Sequence, residues 1–167
     1  NTIVNASTGV AAEATGDLGV SANDLVDVRG RAILVDGDLP PRYAEPGVGL
    51  DGTQRFDSSA FRQLDDGHDV TNNTIAGGND YGVLVVDAVG ATVTGNDIRD
   101  TEDGVGLGDT EGVRVADNTI EGVGDDGVHL ANANGSVVAC NAIDGSNDDG
   151  VYAVGHENRV ANNTIPN

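Results

Sequence analysis

A six-residue signature returns every 22 or 23 residues along the second half of this chain. Its five copies read VTNNTI, VTGNDI, VADNTI, VACNAI and VANNTI, and they end at Ile75, Ile98, Ile120, Ile143 and Ile165. The copies are short, rich in β-branched residues and free of any helical pattern. A period of this size predicts a solenoid in which each repeat forms one turn of a coil.

A second anchor follows each signature isoleucine by seven or eight residues. It is a Gly-Val pair, found at Gly82-Val83, Gly104-Val105, Gly127-Val128 and Gly150-Val151. The spacing predicts three short strands per coil: one at the signature valine, one at the isoleucine and one starting at Gly-Val. Stacked about 4.8 Å apart, they would form three parallel sheets around a narrow core of Val, Ile and Leu. The predicted fold class is therefore an all-β parallel β-helix.

One asparagine recurs in every signature, at Asn73, Asn96, Asn118, Asn141 and Asn163. Asparagine tolerates left-handed backbone geometry, and its amide both donates and accepts hydrogen bonds. We therefore expect these five residues to lie at one bend and to stack in a structural column. The lone cysteine, Cys140, occupies the preceding slot of its repeat, which is held elsewhere by Asn, Gly or Asp, and it is interpreted as a small residue tolerated at a turn.

With these motifs the chain resembles the right-handed parallel β-helix proteins, whose repeats are found in pectate lyases, uronate epimerases and NosD-type surface proteins. The resemblance covers essentially the whole chain and implies the fold, whereas it says little about activity. NosD-type proteins assist copper delivery and would be expected to present His, Met or Cys ligands. With no Met, one Cys and three scattered His, copper handling is poorly supported here.

The repeat predicts a single β-helix domain over residues 1–167, with regular coils at 70–167 and irregular coils carrying insertions at 1–69. In the irregular part, Val28–Ile33 fits the signature with Arg31 at the asparagine position. Ile33 follows Ile3 by about seven residues more than the period of the repeat. A strand is predicted at residues 47–50, with inserted loops before and after it and a short helical turn near Arg62. We expect the chain to be a segment of a larger protein, and open coil ends would favour end-to-end association.

Charge narrows the classes of partner. The chain carries 28 acidic and 8 basic residues, a formal net charge of −20, and every basic residue is an arginine. This charge repels nucleic acid and anionic membranes, and no stretch is long and apolar enough to span a bilayer. Acidic side chains in every turn, no lysine and small apolar residues resemble surface proteins of salt-loving archaea. The resemblance to β-helix surface proteins implies an extracellular or cell-surface location.

Acidic residues precede each Gly-Val pair and predict two columns of carboxylates. The first column is expected to contain Asp80, Glu102, Asp125 and Asp148, and the second Asp103, Asp126 and Asp149. Hard cations such as Ca²⁺ take six to eight oxygen ligands, which such a ladder would supply. Asp80, Glu102, Asp148 and Asp149 are the predicted cation ligands, and the alternative is a hydrated acidic surface built on Asp-Gly turns. No cofactor is required by this interpretation.

Two patterns indicate catalytic candidates. TEDG at 101–104 and GDDGVHL at 124–130 resemble the acidic motifs of polygalacturonase-type hydrolases, which would make Asp103, Asp125 and Asp126 the acid and base residues. The histidine and the basic motif of that family are missing. His129 and Tyr152 follow inward valines on neighbouring coils, so they point outward and would suit β-elimination or epimerisation at a uronate.

Arginine and aromatic residues concentrate in the predicted insertions. Arg42, Tyr43, Arg55, Phe56 and Arg62 are the expected ligand-binding residues. The leading hypothesis is a structural or adhesive segment that binds carbohydrate and is not an enzyme. The alternatives are a polysaccharide lyase, epimerase or hydrolase, and a filament or spike subunit.

Overall fold

The structure is a computed structural model that describes residues 1–14, 19–37, 67–78 and 80–166. These residues form eighteen strands, and no helix is present among them. Six strands make a sheet that carries the signature isoleucines, named here the Ile sheet: β1 (Thr2–Val4), β4 (Asp24–Val26), β7 (Thr74–Ala76), β10 (Asp97–Arg99), β13 (Thr119–Glu121) and β16 (Ala142–Asp144). The Gly-Val sheet contains β2 (Val10–Ala14), β5 (Ile33–Gly37), β8 (Tyr81–Val86), β11 (Asp103–Gly108), β14 (Val128–Asn134) and β17 (Val151–His156). The Val sheet contains β3 (Gly19–Ser21), β6 (Asp69–Thr71), β9 (Thr92–Thr94), β12 (Arg114–Ala116), β15 (Val137–Ala139) and β18 (Arg159–Ala161).

The chain visits the three sheets in strict rotation. Every third strand returns to the same sheet and pairs in parallel with the strand one turn before it. Each coil therefore adds one strand to every sheet, and equivalent residues of successive coils lie directly above one another. The predicted all-β solenoid with three parallel sheets is confirmed.

The core consists of columns of identical or similar side chains. The signature isoleucines Ile75, Ile98, Ile120 and Ile143 are at most 1% exposed, and Leu25 extends their column. The valines of the Gly-Val pairs form a second column with Ile33, and the signature valines form a third. Burial of each such side chain contributes about 1.5–3 kcal/mol. A narrow core with no Phe, Tyr or Trp among its described residues therefore still holds the coil together.

The predicted asparagine column is present and longer than expected, because Asn1 and Asn23 extend it. Each side-chain amide donates from Nδ2 to Oδ1 of the asparagine in the next coil, at 2.9–3.0 Å throughout. The expected left-handed geometry lies one residue earlier, at Asn72, Gly95, Asp117, Cys140 and Asn162. Cys140 is exposed at this turn, in agreement with its interpretation as a tolerated small residue.

The assignment of Val28–Ile33 to the signature is wrong. Ile33 pairs with Val83 in the Gly-Val sheet, and the signature of this coil is Val20–Leu25, with Asn23 in the ladder. The spacing from Ile3 to Leu25 is then 22 residues, so the excess expected before Ile33 does not exist. Leucine at the position of the isoleucine concealed this copy of the repeat.

A long connection separates β5, which ends at Gly37, from β6, which begins at Asp69. The strand predicted at residues 47–50 and the helical turn near Arg62 lie outside the described residues. The place in the Gly-Val sheet that the predicted strand would fill is occupied by β5, which pairs with β2 and β8. The inserted residues therefore lie between the Gly-Val-sheet strand β5 and the next signature, Val70–Ile75.

Candidate functional site

The residue before each Gly-Val pair forms a column along one edge of the Gly-Val sheet, named here the variable column. Main-chain hydrogen bonds and strand register stack its members on consecutive coils. In order they are Thr8, Arg31, Tyr81, Asp103, Asp126 and Asp149. Unlike the ladder asparagines, these residues change chemical character along the stack.

Asp103, Asp126 and His129 come together in this region. One carboxylate oxygen of each aspartate and a ring nitrogen of His129 all lie within 4.8 Å of one another. The Nδ1 atom of His129 is 2.9 Å from Oδ2 of Asp126, while the residues at 103 and 126 are only 7% and 4% exposed. Asp103 and Asp126 stack because Val105 pairs with Val128, and His129 faces outward because it follows the inward Val128.

The carboxylates are fixed by the main chain of the next coil. The backbone N–H of Asp126 donates to Oδ1 of Asp103 at 3.2 Å, and the N–H of Asp149 donates to Oδ1 of Asp126 at 3.0 Å. The same contact is repeated from one coil to the next. The site is therefore built into the stacking of the solenoid and is held by strands.

Three rings lie along the outer face beside these acids. His129 is stacked in register with Tyr152, and their ring centroids are 5.1 Å apart. On its other side His129 meets the ring of Tyr81 edge-on at 6.4 Å. The ring of Tyr81 lies over Gly106, and a Cβ added to Gly106 would come within 2.5 Å of a ring carbon.

Sequence reasoning missed Tyr81. The sequence did contain a signal for it, because Tyr81 immediately precedes Gly82-Val83. This position is equivalent to that of Asp103 in the next coil. Alignment of all residues that precede Gly-Val, without a restriction to acids, would have identified it.

Burial and negative charge shift two pKa values here. Burial raises the pKa of Asp103, and the negative charge of Asp125 adds to the increase, while the hydrogen bond from the backbone of Asp126 opposes it. Burial also raises the pKa of the Tyr81 hydroxyl, with further increases from Asp103 and Asp80. The site thus disfavours additional negative charge.

The outer acidic column also stacks, with main-chain hydrogen bonds linking Asp80 to Glu102, Glu102 to Asp125 and Asp125 to Asp148. Carboxylate oxygens of Asp125, Asp126 and Asp148 lie within 4.8 Å of one another. The predicted cation ligands do not gather into one group. Asp148 belongs to the group just described, whereas Asp80 forms a 3.5 Å ion pair with Arg31. Glu102 and Asp149 are exposed and belong to neither metal-compatible group among the described residues.

Arg31 is the cation that sequence reasoning did not place near the candidate site. Because Ile33 pairs with Val83, Arg31 lies in the coil next to Tyr81 and two coils from Asp103. The intervening insertion hides this proximity in the sequence. The five predicted ligand-binding residues, Arg42, Tyr43, Arg55, Phe56 and Arg62, all lie outside the described residues.

The described residues contain no helix of the length and apolarity needed to cross a bilayer. The family model described as "Right handed beta helix region" matches residues 59–167. The chain belongs to this family of right-handed β-helix proteins. Comparisons with curated proteins and with solved structures gave no match.

Proposed function

We propose that this protein binds carbohydrate along the outer face of its Gly-Val sheet. The observation that carries the proposal is the line of three rings, Tyr81, His129 and Tyr152, beside the buried pair Asp103 and Asp126. Aromatic faces supply apolar contact area with a polar edge, and carboxylates accept hydrogen bonds from hydroxyl groups. A sugar has apolar C–H faces and a rim of hydroxyl groups, so it matches both.

The charge of the site narrows the carbohydrate class. Several carboxylates lie beside the rings, and the whole chain has a net charge of −20. A polyanionic glycan would be repelled at low ionic strength, and this repulsion is screened in molar salt. Neutral glycans are therefore the first candidates, and uronate-containing glycans require strong salt.

We extend the proposal to a structural or adhesive role at the surface of a halophile. The support is composition: acidic residues throughout, no lysine, and no Phe, Tyr or Trp among the buried core residues that the structure describes. Mutual repulsion among the acids destabilises the coil in dilute buffer, and salt screens it. A rise in the unfolding midpoint from dilute buffer to molar NaCl supports this role, and a midpoint independent of salt contradicts it.

A glycan array probed in molar NaCl with a chelator tests the carbohydrate proposal. Tyr152→Ala removes the most exposed ring, and we expect signals to fall at least tenfold because one stacking surface is lost. His156→Ala on the same strand, β17, is the matched control and should bind like the unmodified protein. No bound glycan, or equal binding by Tyr152→Ala, would refute the proposal.

The Asp126–His129 pair favours a second candidate, proton transfer at a sugar carbon. A carboxylate on Nδ1 orients an imidazole and leaves Nε2 to act as base, with a nearby tyrosine as acid. This arrangement suits a polysaccharide lyase or epimerase. It does not suit inverting hydrolysis by Asp103 and Asp126, because their oxygens lie within 4.8 Å and inversion needs a wider gap for water.

Incubation with polyuronates in molar salt tests the second candidate. Lyase action gives unsaturated products, and epimerisation exchanges the C5 proton with deuterated solvent. His129→Asn should abolish either signal, whereas His156→Asn should keep it. Absence of both products across salt concentrations would leave the binding function alone.

A further inference from the structure

We propose that Asp103, Asp126 and His129 form a binding site for a divalent first-row transition metal such as Zn²⁺ or Mn²⁺. This inference does not depend on the proposed carbohydrate function. It also differs from the hard-cation ladder predicted from sequence, because it rests on the inner column and on an imidazole.

The three ligand groups are already close to metal-binding spacing. Their candidate ligand atoms all lie within 4.8 Å of one another. Ligands at about 2.1 Å from a tetrahedral Zn²⁺ are separated by about 3.4 Å, so small side-chain rotations close the site. Asp103 begins β11, Asp126 lies two residues before β14, and His129 lies in β14. The two strands pair in register and limit how far the ligands can separate.

Both carboxylates have outer partners that orient them. One oxygen of Asp103 accepts from the backbone N–H of Asp126, and one oxygen of Asp126 accepts from the N–H of Asp149. Hydrogen bonds of this kind to the second oxygen fix a carboxylate ligand and hold it in place for a metal. Oδ2 of Asp126 points to His129, while the other oxygen of Asp103 has no hydrogen-bond partner among the described residues.

The imidazole of His129 is the basic group beside the two buried acids, and the described residues place no arginine in an ion pair with either of them. Asp103 is 7% exposed. Burial of a carboxylate without a cation costs free energy, and two adjacent carboxylates repel each other. A bound dication would neutralise both charges and fill the position that the unpaired oxygen faces.

The ligand set selects the class of metal. Imidazole suits Zn²⁺, Fe²⁺ and Cu²⁺, carboxylate suits Mn²⁺ as well, and three protein ligands leave positions open to water or ligand. Ca²⁺ takes six to eight oxygens and gains little from an imidazole. The neighbouring group of Asp125, Asp126 and Asp148 contains only carboxylates, so it serves as a comparison and not as a second proposal.

Isothermal titration of the chelator-stripped chain with ZnCl₂, MnCl₂ and CaCl₂, without carbohydrate, tests the site. We expect one Zn²⁺ per chain, with Mn²⁺ weaker and Ca²⁺ weakest. Asp103→Asn and His129→Asn should each weaken Zn²⁺ binding at least tenfold. Asn keeps the acceptor for the Asp126 N–H, and His129 is at the outer face, so both variants should keep the unmodified circular dichroism spectrum.

Two controls locate the metal. Asp148→Asn alters only the all-carboxylate group, and His156→Asn alters an exposed histidine elsewhere, so both should bind Zn²⁺ like the unmodified chain. In NMR spectra the ring protons of His129 should shift at saturation, and those of His156 should not. No binding, or loss in Asp148→Asn with retention in His129→Asn, would overturn the proposal. The glycan array in chelator remains an independent test, so either proposal can fail alone.

Discussion

The asparagine ladder and the variable column show how one backbone geometry serves opposite purposes. Both are stacks of equivalent residues, one member per coil, and both are linked by hydrogen bonds from one coil to the next. The ladder repeats a single residue, whereas the variable column runs from threonine through arginine and tyrosine to three aspartates. The difference separates the part of the repeat that maintains the fold from the part that is available for binding.

The ladder satisfies its own hydrogen bonds. A carboxamide carries a donor and an acceptor, so each asparagine accepts from one neighbour and donates to the next. Asn96 accepts from the backbone and side chain of Asn73 and donates to Asn118 and to the carbonyl of Val70. Because only asparagine fits both roles in this geometry, the column stays uniform.

Stacked aspartates have acceptors only. Asp103 and Asp126 receive main-chain N–H groups but cannot donate to each other when ionised. The buried charge therefore costs stability, and such strain concentrates at functional sites. This contrast is the basis of the predictions below.

Asn96→Ala should give the largest loss of stability. It leaves the backbone N–H of Asn73 and the carbonyl of Val70 without the side-chain partner that Asn96 supplies in a buried column. Oδ1 of Asn118 keeps the backbone N–H of residue 96. At about 1–3 kcal/mol per unsatisfied buried group, the free energy of unfolding should fall by roughly 3 kcal/mol or more. Denaturant unfolding in molar NaCl, followed by circular dichroism, measures it.

Asn163→Ala is the matched control at the half-buried end of the ladder. Water reaches the groups that it releases, so we expect less than half of the loss seen for Asn96→Ala. Equal losses at both positions would show that the ladder contributes only local turn structure, and the distinction from the variable column would weaken.

Asp103→Asn should instead raise stability in metal-free buffer at pH 7. Its pKa is raised by burial and by the charge of Asp125, so the ionised form is disfavoured in the folded chain. Asparagine removes the charge and keeps the acceptor for Asp126, and a gain of about 1 kcal/mol is expected, as for other strained functional positions. Exposed Asp148→Asn is the control and should change stability less. A loss of stability in Asp103→Asn would mean that the column is structural.

The sequence was sufficient for the architecture because the repeat is carried by the core and ladder. The signature isoleucines, the Gly-Val pairs and the asparagines each mark a buried column, so their spacing predicted the three sheets. The outward direction of His129 and Tyr152 also followed from strand alternation.

The site was only partly predictable, because it combines residues from coils that an insertion separates. Conservative exchange of leucine for isoleucine hid the signature at Val20–Leu25, and this shifted Arg31 into the wrong column. The search for acids passed over Tyr81. Contact among Asp103, Asp126 and His129 depends on side-chain orientation, which spacing does not determine.

Gly106→Ala should affect binding more than stability. The added Cβ would meet ring atoms of Tyr81 at 2.5 and 2.6 Å and Cδ1 of Leu84 at 2.9 Å, so the Tyr81 ring must leave its present position beside His129. Because the obstructing atoms belong to side chains that are only partly buried, the stability loss should stay below about 1 kcal/mol. Glycan binding should weaken several-fold on the array. Gly108→Ala on the same strand meets only Val86 at 3.2 Å and should bind normally; equal effects of the two variants would exclude Tyr81 from the binding face.

Arg31→Gln gives the smallest expected effect and tests the column assignment directly. If Arg31 occupied the asparagine ladder, as the Val28–Ile33 signature predicted, its replacement would disturb buried hydrogen bonds. In the structure it forms an ion pair at 3.5 Å with Asp80, and the two side chains are 45% and 36% exposed. Such surface pairs contribute about 0–1 kcal/mol, so the free energy of unfolding should change by less than about 0.5 kcal/mol in molar salt.

Asn23→Ala in the same coil removes a donor to Oδ1 of Asn73, and it should lower the free energy of unfolding more than Arg31→Gln does because that contact is buried. The reverse order would place Arg31 in the ladder, and it would remove Arg31 from the variable column beside Tyr81.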